Sequence, residues 1–182
     1  MLIAPRDDRV LLRAFTEDDL PFLDRLCTDI DALGAHEWPG FMDVRTRRKR
    51  WEEDGYIGTQ SAVLAVVLPD DTLAGIVSWR AGRPDGASLV REVGCGLLPE
   101  HRGQGLGTRA QRLLVAHIFG YTRVERIEAI TDSENIGEQK SLQRIGFQLE
   151  GVLRHRNFQH GTWRDHQIYS LLRGEWELVQ AE

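Results

Sequence analysis

The sequence predicts a mixed α/β protein built on one central sheet, and three observations carry that prediction. Apolar runs of strand length come in succession before any strand-and-helix alternation begins, and the chain then closes on a long alternating segment, "EGVLRHRNFQHGTWRDHQIYSLL", Glu150 to Leu172. Runs of strands, then alternation, then a hairpin favour a mixed sheet over an all-parallel one. The length of 182 residues with 41% hydrophobic residues suits a single core and a single domain spanning 1–182.

Each element has its own signal. Leu11 to Phe15 reads as a first strand. Thr16 then opens a helix in "EDDLPFLDRLC", with Thr16 as N-cap, acids in the first turn, and Leu20, Leu23 and Leu26 recurring on one face. "GAHEWPGF" is a loop, because Gly34, Pro39 and Gly40 break any period. Asp43 caps a second helix that runs through about Asp54 and closes at Gly55. "SAVLAVVLPDDTLAGIVSW" reads as two strands joined at Asp70 and Asp71. "SLVREVGCGLL" is another strand, whose Gly94 and Gly96 point to a bulge or a close backbone approach. A helix from about Thr108 to Phe119 ends at Gly120, "RVERIEAIT" is a strand, a helix from about Glu134 ends at Gly146, and the closing hairpin turns near His160 and Gly161.

Composition narrows the functional classes. Charged residues make up 28% of the chain and no apolar run approaches the roughly 18 residues of a membrane span, so a soluble protein is expected. "MLIAPRDDRVLLR" has acidic residues early and no basic segment leading into an apolar one, unlike a secretion signal. Cys27 and Cys95 are far apart and suit reduced thiols in a cytoplasm. His155, His160 and His166 have no metal-like spacing, so no metal is expected. The formal net charge of -5 argues against wrapping nucleic acid over the whole surface, but leaves room for a local basic patch. That patch is "RTRRKRWEED", Arg45 to Asp54, where the charges run against the helix dipole. It reads either as a solvated face with cross-helix pairs or, through Arg45 to Arg50, as a dock for RNA or another acidic partner.

The most informative stretch is "GLLPEHRGQGLGTRAQRLL", Gly96 to Leu114. Gly103, Gly105 and Gly107 crowd in front of a helix-forming run. They serve either a turn that needs positive φ or an anion cradle, in which backbone N–H groups and a helix N-terminus face phosphate. No Gly-Lys-Ser/Thr follows a four-residue gap, and the spacing is G-x-G-x-G rather than G-x-G-x-x-G. Both common nucleotide loops are excluded.

What remains, Arg102-x-x-Gly105-x-Gly107 between a strand and a helix, resembles the R/Q-x-x-G-x-G/A signature of the GNAT superfamily of N-acetyltransferases. "REVGCGLLPEHRGQGLGTRAQRLL", "RIEAITDSEN", "SLQRIGFQLEGVLR" and "TWRDHQIYSLLRGEW" extend the resemblance over about Arg91 to Trp176, toward the branch that acetylates N-termini of ribosomal proteins. The N-terminal half is similar in layout only. The resemblance implies a mostly antiparallel sheet of about six or seven strands flanked by about four helices, and acetyl-CoA as co-substrate. It places the pyrophosphate at Arg102, Gly103, Gln104, Gly105, Leu106, Gly107 and Thr108, and the pantetheine arm along the backbone of Leu97 and Leu98. Asn135 matches an asparagine that touches the pantetheine or an ordered water, unless it merely caps its helix. Lys140 and Arg144 either meet the 3'-phosphate or lie on a solvated face.

Acetyl transfer to an amine needs a proton acceptor for the ammonium and a way to protonate the leaving thiolate. Glu92 is the first candidate base, similar to a glutamate of the histone-acetylating branch, and alternation puts it on one face with Gly94 and Gly96. Its other reading is a strand glutamate paired with an arginine such as Arg91 or Arg126. Glu128 is the second candidate. The sequence departs from the family at the acid: the customary tyrosine position holds Leu142, and the serine of the ribosomal-protein branch is replaced by Glu138. Glu138 can act as acid only with a raised pKa. Otherwise water protonates the thiolate, whose pKa is about 8 to 9. Ser141 reads as lying on another helix face. Acceptors implied by the resemblance are a protein N-terminus, a polyamine, an amino acid or an amine-bearing antibiotic. Trp38, His36, Phe41, Phe158, Trp163 and Tyr169 are candidate acceptor walls or else core residues. Two alternatives stay open: an acyl-CoA sensor without turnover, and an RNA-associated transferase. Family members are often homodimers, though no hydrophobic stripe here demands one.

Overall fold

The computed structural model describes residues 4–34, 36, 42–82 and 89–181. Strands β1 (Leu11–Arg13), β2 (Ser61–Val67), β3 (Leu73–Ala81), β4 (Val90–Leu97), β5 (Arg126–Asp132), β6 (Gln148–Gln159) and β7 (Thr162–Leu172) form one sheet in the order β1-β2-β3-β4-β5-β7-β6. Only the β4–β5 pairing is parallel. Among the described residues six α-helices accompany it: α1 (Leu20–Thr28), α2 (Ile30–Leu33), α3 (Val44–Asp54), α4 (Leu106–Tyr121), α5 (Ile136–Ile145) and α6 (Arg173–Ala181). The expectation of about four helices missed α2 and α6. The first has four residues, too few to show a period, and the second begins directly where β7 ends.

Helices pack on both faces of the sheet, a different set on each. On one face Val77, Val93, Ile127, Tyr169 and Leu171 pack against Leu114, Val115 and Ile118 of α4 and Leu142 and Ile145 of α5. On the other, Ala65, Val67 and Ile76 pack against Phe22, Leu23 and Leu26 of α1, with Tyr56 and Trp51 beside them. Alternation along β4 therefore sends Val93, Cys95 and Leu97 to the α4 side and Glu92, Gly94 and Gly96 to the other.

Local chemistry sets the element ends. Asp19 reaches back to accept hydrogen bonds from the Thr16 N–H and hydroxyl at 2.8 and 3.1 Å, while Arg13 donates to it at 2.5 Å. Helix α3 has the expected bounds, with the Asp43 carboxylate accepting from Arg45 N–H and Gly55 in the left-handed region after it. Four of its five basic residues are paired with carboxylates within the chain, Arg45 with Asp43, Arg48 with Asp24, Lys49 with Glu53, and Arg50 with Asp54, while Arg47 donates to the Cys27 Sγ at 3.1 Å. The solvated-face reading of this helix thus has its cross-helix pair in Arg48–Asp24. Helix α4 starts at Leu106, earlier than read, and passes through Gly120 to end at Tyr121, followed by the cap residue Thr122, whose hydroxyl donates to the Ile118 carbonyl at 2.7 Å.

Gly94 and Gly96 do not make a bulge, because β3 and β4 pair in unbroken register from Gly75 opposite Leu97 to Ala81 opposite Arg91. The close approach is real but belongs to Gly75, where an added Cβ would lie 2.2 Å from the Gly96 carbonyl oxygen. No helix among the described residues is long and apolar enough to cross a membrane.

Candidate active site

The parallel ladder between β4 and β5 ends early. Val90, Arg91 and Glu92 pair with Arg126, Ile127 and Glu128, and the two strands then part. Beyond Glu92 the β5-facing edge of β4 has no strand partner, so alternate N–H and C=O groups of residues 93–97 face a cleft. A cavity of about 420 Å3 occupies it, lined by Val93 to Leu97 on one side, Ala129 to Thr131 on the other, the loop at Arg102, Gly103 and Gly105, and residues of α4 and α5.

The glycine loop contributes part of the cavity's lining. Gly103 and Gly105 have φ of 72° and 77°, and nothing lies within 4 Å of an added Cβ at either, so left-handed backbone rather than crowding selects glycine there. Gly105 is the N-cap of α4 and offers no side chain to the first turn. The amide N–H groups of residues 103 to 108 accordingly find no acceptor among the described residues, and Arg109 is the first to donate back, to the Gly105 carbonyl at 3.2 Å. Free donors at a helix N-terminus make an anion site.

Arg102 does not point its charge into this cradle. Its guanidinium donates to the Leu97 carbonyl at 2.9 Å and to the Asp31 and Ala32 carbonyls at 2.8 and 3.1 Å, tying the loop to β4 and to α2. Gln104 turns back to the Glu100 carbonyl, and Leu98 is buried in the second core with its N–H on Ala74. Gln104 and Leu98 frame the site, whereas Arg102, Gly103, Gly105, Leu97, Leu106, Gly107, Thr108, Asn135, Glu138, Lys140 and Arg144 line it directly.

Asn135 caps α5, accepting from the Glu138 N–H at 3.2 Å, and lines the cavity as well. Between α4 and α5 sits a buried polar group that the sequence reading missed. Thr108 and Ser141 hydroxyls lie 2.9 Å apart, and the Gln111 amide donates to Ser141 at 3.3 Å and to Glu138 at 3.2 Å. Ser141 therefore shares the Glu138 face rather than lying on another one, as a three-residue step along a helix requires. Leu142 is fully buried, so no hydroxyl replaces the family tyrosine at that position.

The two strand glutamates lie outside the cavity wall. Glu92 accepts from Arg80 at 2.6 Å, a partner other than the arginines foreseen. Glu128 accepts from Arg126 at 2.7 Å, and the same guanidinium binds Glu150, whose carboxyl it holds down to about 2 with help from the Ser170 hydroxyl. Of the proposed acceptor walls, Tyr169 is core, at 1% exposure, with its hydroxyl on Gln167 at 2.6 Å. Phe158 and Trp163 are exposed on the closing hairpin with their rings 5.4 Å apart, and Trp38 and Phe41 lie outside the described residues. His36 does line the cavity, with Nδ1 3.7 Å from Asp132 Oδ2.

Comparison with known proteins fits this geometry. The family model "Acetyltransferase (GNAT) domain" matches residues 9–148. The chain is 36% identical over 104 residues to the "Probable N-acetyltransferase YjcK" of Bacillus subtilis, covering 57% of this chain and 56% of that protein. The chain spans about half the length of the curated relatives it matches. Among solved structures, a spermidine N-acetyltransferase from Vibrio cholerae in complex with CoA and spermine superposes with a TM-score of 0.82 at 18% identity, over 94% of this chain and 99% of that one. RimL, a ribosomal L7/L12 α-N-protein acetyltransferase in complex with CoA, gives 0.80 at 20% identity, over 94% and 98%. At such identities the likeness is one of fold.

Proposed function

Because the chain belongs to the GNAT acetyltransferase family, we propose that it transfers an acetyl group from acetyl-CoA to a primary amine, with both substrates bound at once. The observation that carries this reading is the row of unpaired amides at residues 103 to 108, set in the lining of a cavity that runs along the open edge of β4. A pyrophosphate accepts from such donors without any side-chain charge. The open β4 edge offers the pantetheine amides a strand-like partner. Asn135 faces the same channel, while Lys140 and Arg144 bring positive charge for the 3'-phosphate.

The leaving sulfur meets the Glu138 and Ser141 side of the cleft in this reading. Ser141 has one donor and two acceptor sites. It accepts from Gln111, and when Thr108 also donates to it, its own proton is free for the cavity. The amine enters from the face that α1 and α3 leave open, where Arg80, Glu92, Arg126 and Glu128 alternate in charge. We place the acceptor among small amines and protein N-termini, the kinds of ligand that the spermidine and ribosomal-protein enzymes handle. The two free cysteines fit a cytoplasmic protein.

The test is release of CoA thiol from acetyl-CoA in the presence of spermine and, separately, of a peptide with a free N-terminus. Amine-dependent thiol release supports transfer. Tight acetyl-CoA binding with no release for any amine tested supports the sensor reading instead.

A further inference from the structure

Resting on that transferase reading, we propose that His36 takes the proton from the incoming ammonium, with Asp132 as the residue that positions it. Nothing in the family signature marks His36, which comes from a segment broken by glycine and proline and separated from Asp132 by most of the chain.

The geometry sets an imidazole in the cavity wall with a carboxylate against it. Asp132 is the last residue of β5, 3% exposed, and Arg164 donates to both its oxygens at 3.0 and 3.1 Å while the Glu134 N–H donates at 2.7 Å. Burial alone would raise its pKa, but the bonds from Arg164 and the Glu134 amide outweigh it, and the net shift is downward. The carboxylate is therefore an anion throughout the working pH range, facing Nδ1 of His36 at 3.7 Å. An anion there favours the tautomer protonated on Nδ1, which leaves the Nε2 lone pair for the substrate. The separation is longer than a hydrogen bond, as catalytic contacts often are before substrate binds. Among the described residues, the other charged or titratable groups around the pair are Arg164, His166 opposite Asp132 on β7, Glu134 in the next turn, and the Arg102 guanidinium, which packs on Gly34.

His36 also has the right chemistry by comparison with its rivals. Glu92 and Glu128 lie outside the cavity wall and are bonded to arginines, and Glu138 is on the sulfur side with Gln111. A neutral imidazole nitrogen can accept a proton from the amine and pass it on to solvent. In the step, Nε2 removes one proton from the ammonium, and the freed nitrogen pair forms the C–N bond to the thioester carbonyl carbon. The C–S bond breaks with its electron pair on sulfur, a second nitrogen proton reaches the thiolate directly or through solvent, and the imidazolium returns its proton to water. One acetamide, one thiol and one released proton result.

The test compares H36Q, D132N and E92Q with the wild type, using spermine and an N-terminal peptide as acceptors. H36Q is expected to bind acetyl-CoA within about two-fold of wild type by calorimetry, yet to lose about 100-fold or more in kcat/KM, as general-base removal does. Its pH–rate profile should also differ from that of the wild type, and added imidazole should restore part of the rate to H36G. Independently of any acceptor, 15N spectra of the imidazoles should show neutral His36 protonated on Nδ1 in the wild type and on Nε2 in D132N. Wild-type kcat/KM and pH profile in H36Q, with both lost in E92Q, would overturn the proposal while leaving the transferase reading intact. So would an Nε2-protonated His36 in the wild type. Acetyl-CoA binding without transfer to any amine by the wild type would bring down both readings.

Discussion

Gly75 and Gly105 are glycines for different reasons, and substitution separates those reasons. Gly105 needs only its left-handed φ of 77°, with open space around it. G105A should therefore cost about 1–2 kcal/mol in urea unfolding, and it should weaken acetyl-CoA binding, because the strained turn no longer aims the amides of residues 103 to 108. Gly75 has ordinary backbone but no room: a Cβ would press on the Gly96 oxygen and on Leu97 at 2.2 and 2.8 Å. Because that neighbour is ladder backbone, G75A should fall at the upper end of the roughly 1–3 kcal/mol that overpacking costs. If G75A melts as the wild type does, the strand register at this point is wrong.

Helix α4 carries both a lesson in reading sequence and a prediction. Gly120 looked like a stop, yet the helix continues past it and ends where Thr122 bonds back to Ile118. Space around Gly120 is open, so G120A should stabilise the protein by about 0.5–1 kcal/mol in the same urea assay. Helix α3, in contrast, was legible to the residue, because Asp43 and Gly55 act through local backbone chemistry that the sequence states directly. The glycine loop was legible for the same reason. What was not legible is what tertiary packing decides: that the close approach near Gly96 arises from Gly75 on the neighbouring strand, that Tyr169 is core, and that His36 meets Asp132. Ser141 could have been found from the sequence, since it lies one helical step from Glu138.

At the scale of the whole molecule, ion pairs span the β5–β7–β6 side of the sheet, and their pH dependence has a definite sign. Glu150 has its pKa lowered from 4.5 to about 2 by Arg126 and Ser170. A lowered carboxylate contributes stability that is complete above its unfolded value and is lost as pH falls toward the folded one. Acid unfolding should therefore deepen between about pH 4.5 and 2, and an E150Q variant should show a shallower loss over that window. Ligand binding works on the same scale. The cleft between β4 and β5 exists only in the folded chain, so acetyl-CoA at 100 times its Kd should add about 2.7 kcal/mol and raise Tm by roughly 5–10 °C.

The central claim is that the parted strands and the bare first turn of α4 together form a pyrophosphate cradle. Its most direct test is an acetyl-CoA titration of 15N-labelled protein, following the amides of Gly103, Gly105 and Gly107. Saturable shifts concentrated at these amides and along residues 93–97, and reduced in G105A, are the predicted result. Saturable binding that moves other amides and leaves residues 103 to 108 unchanged would contradict the account.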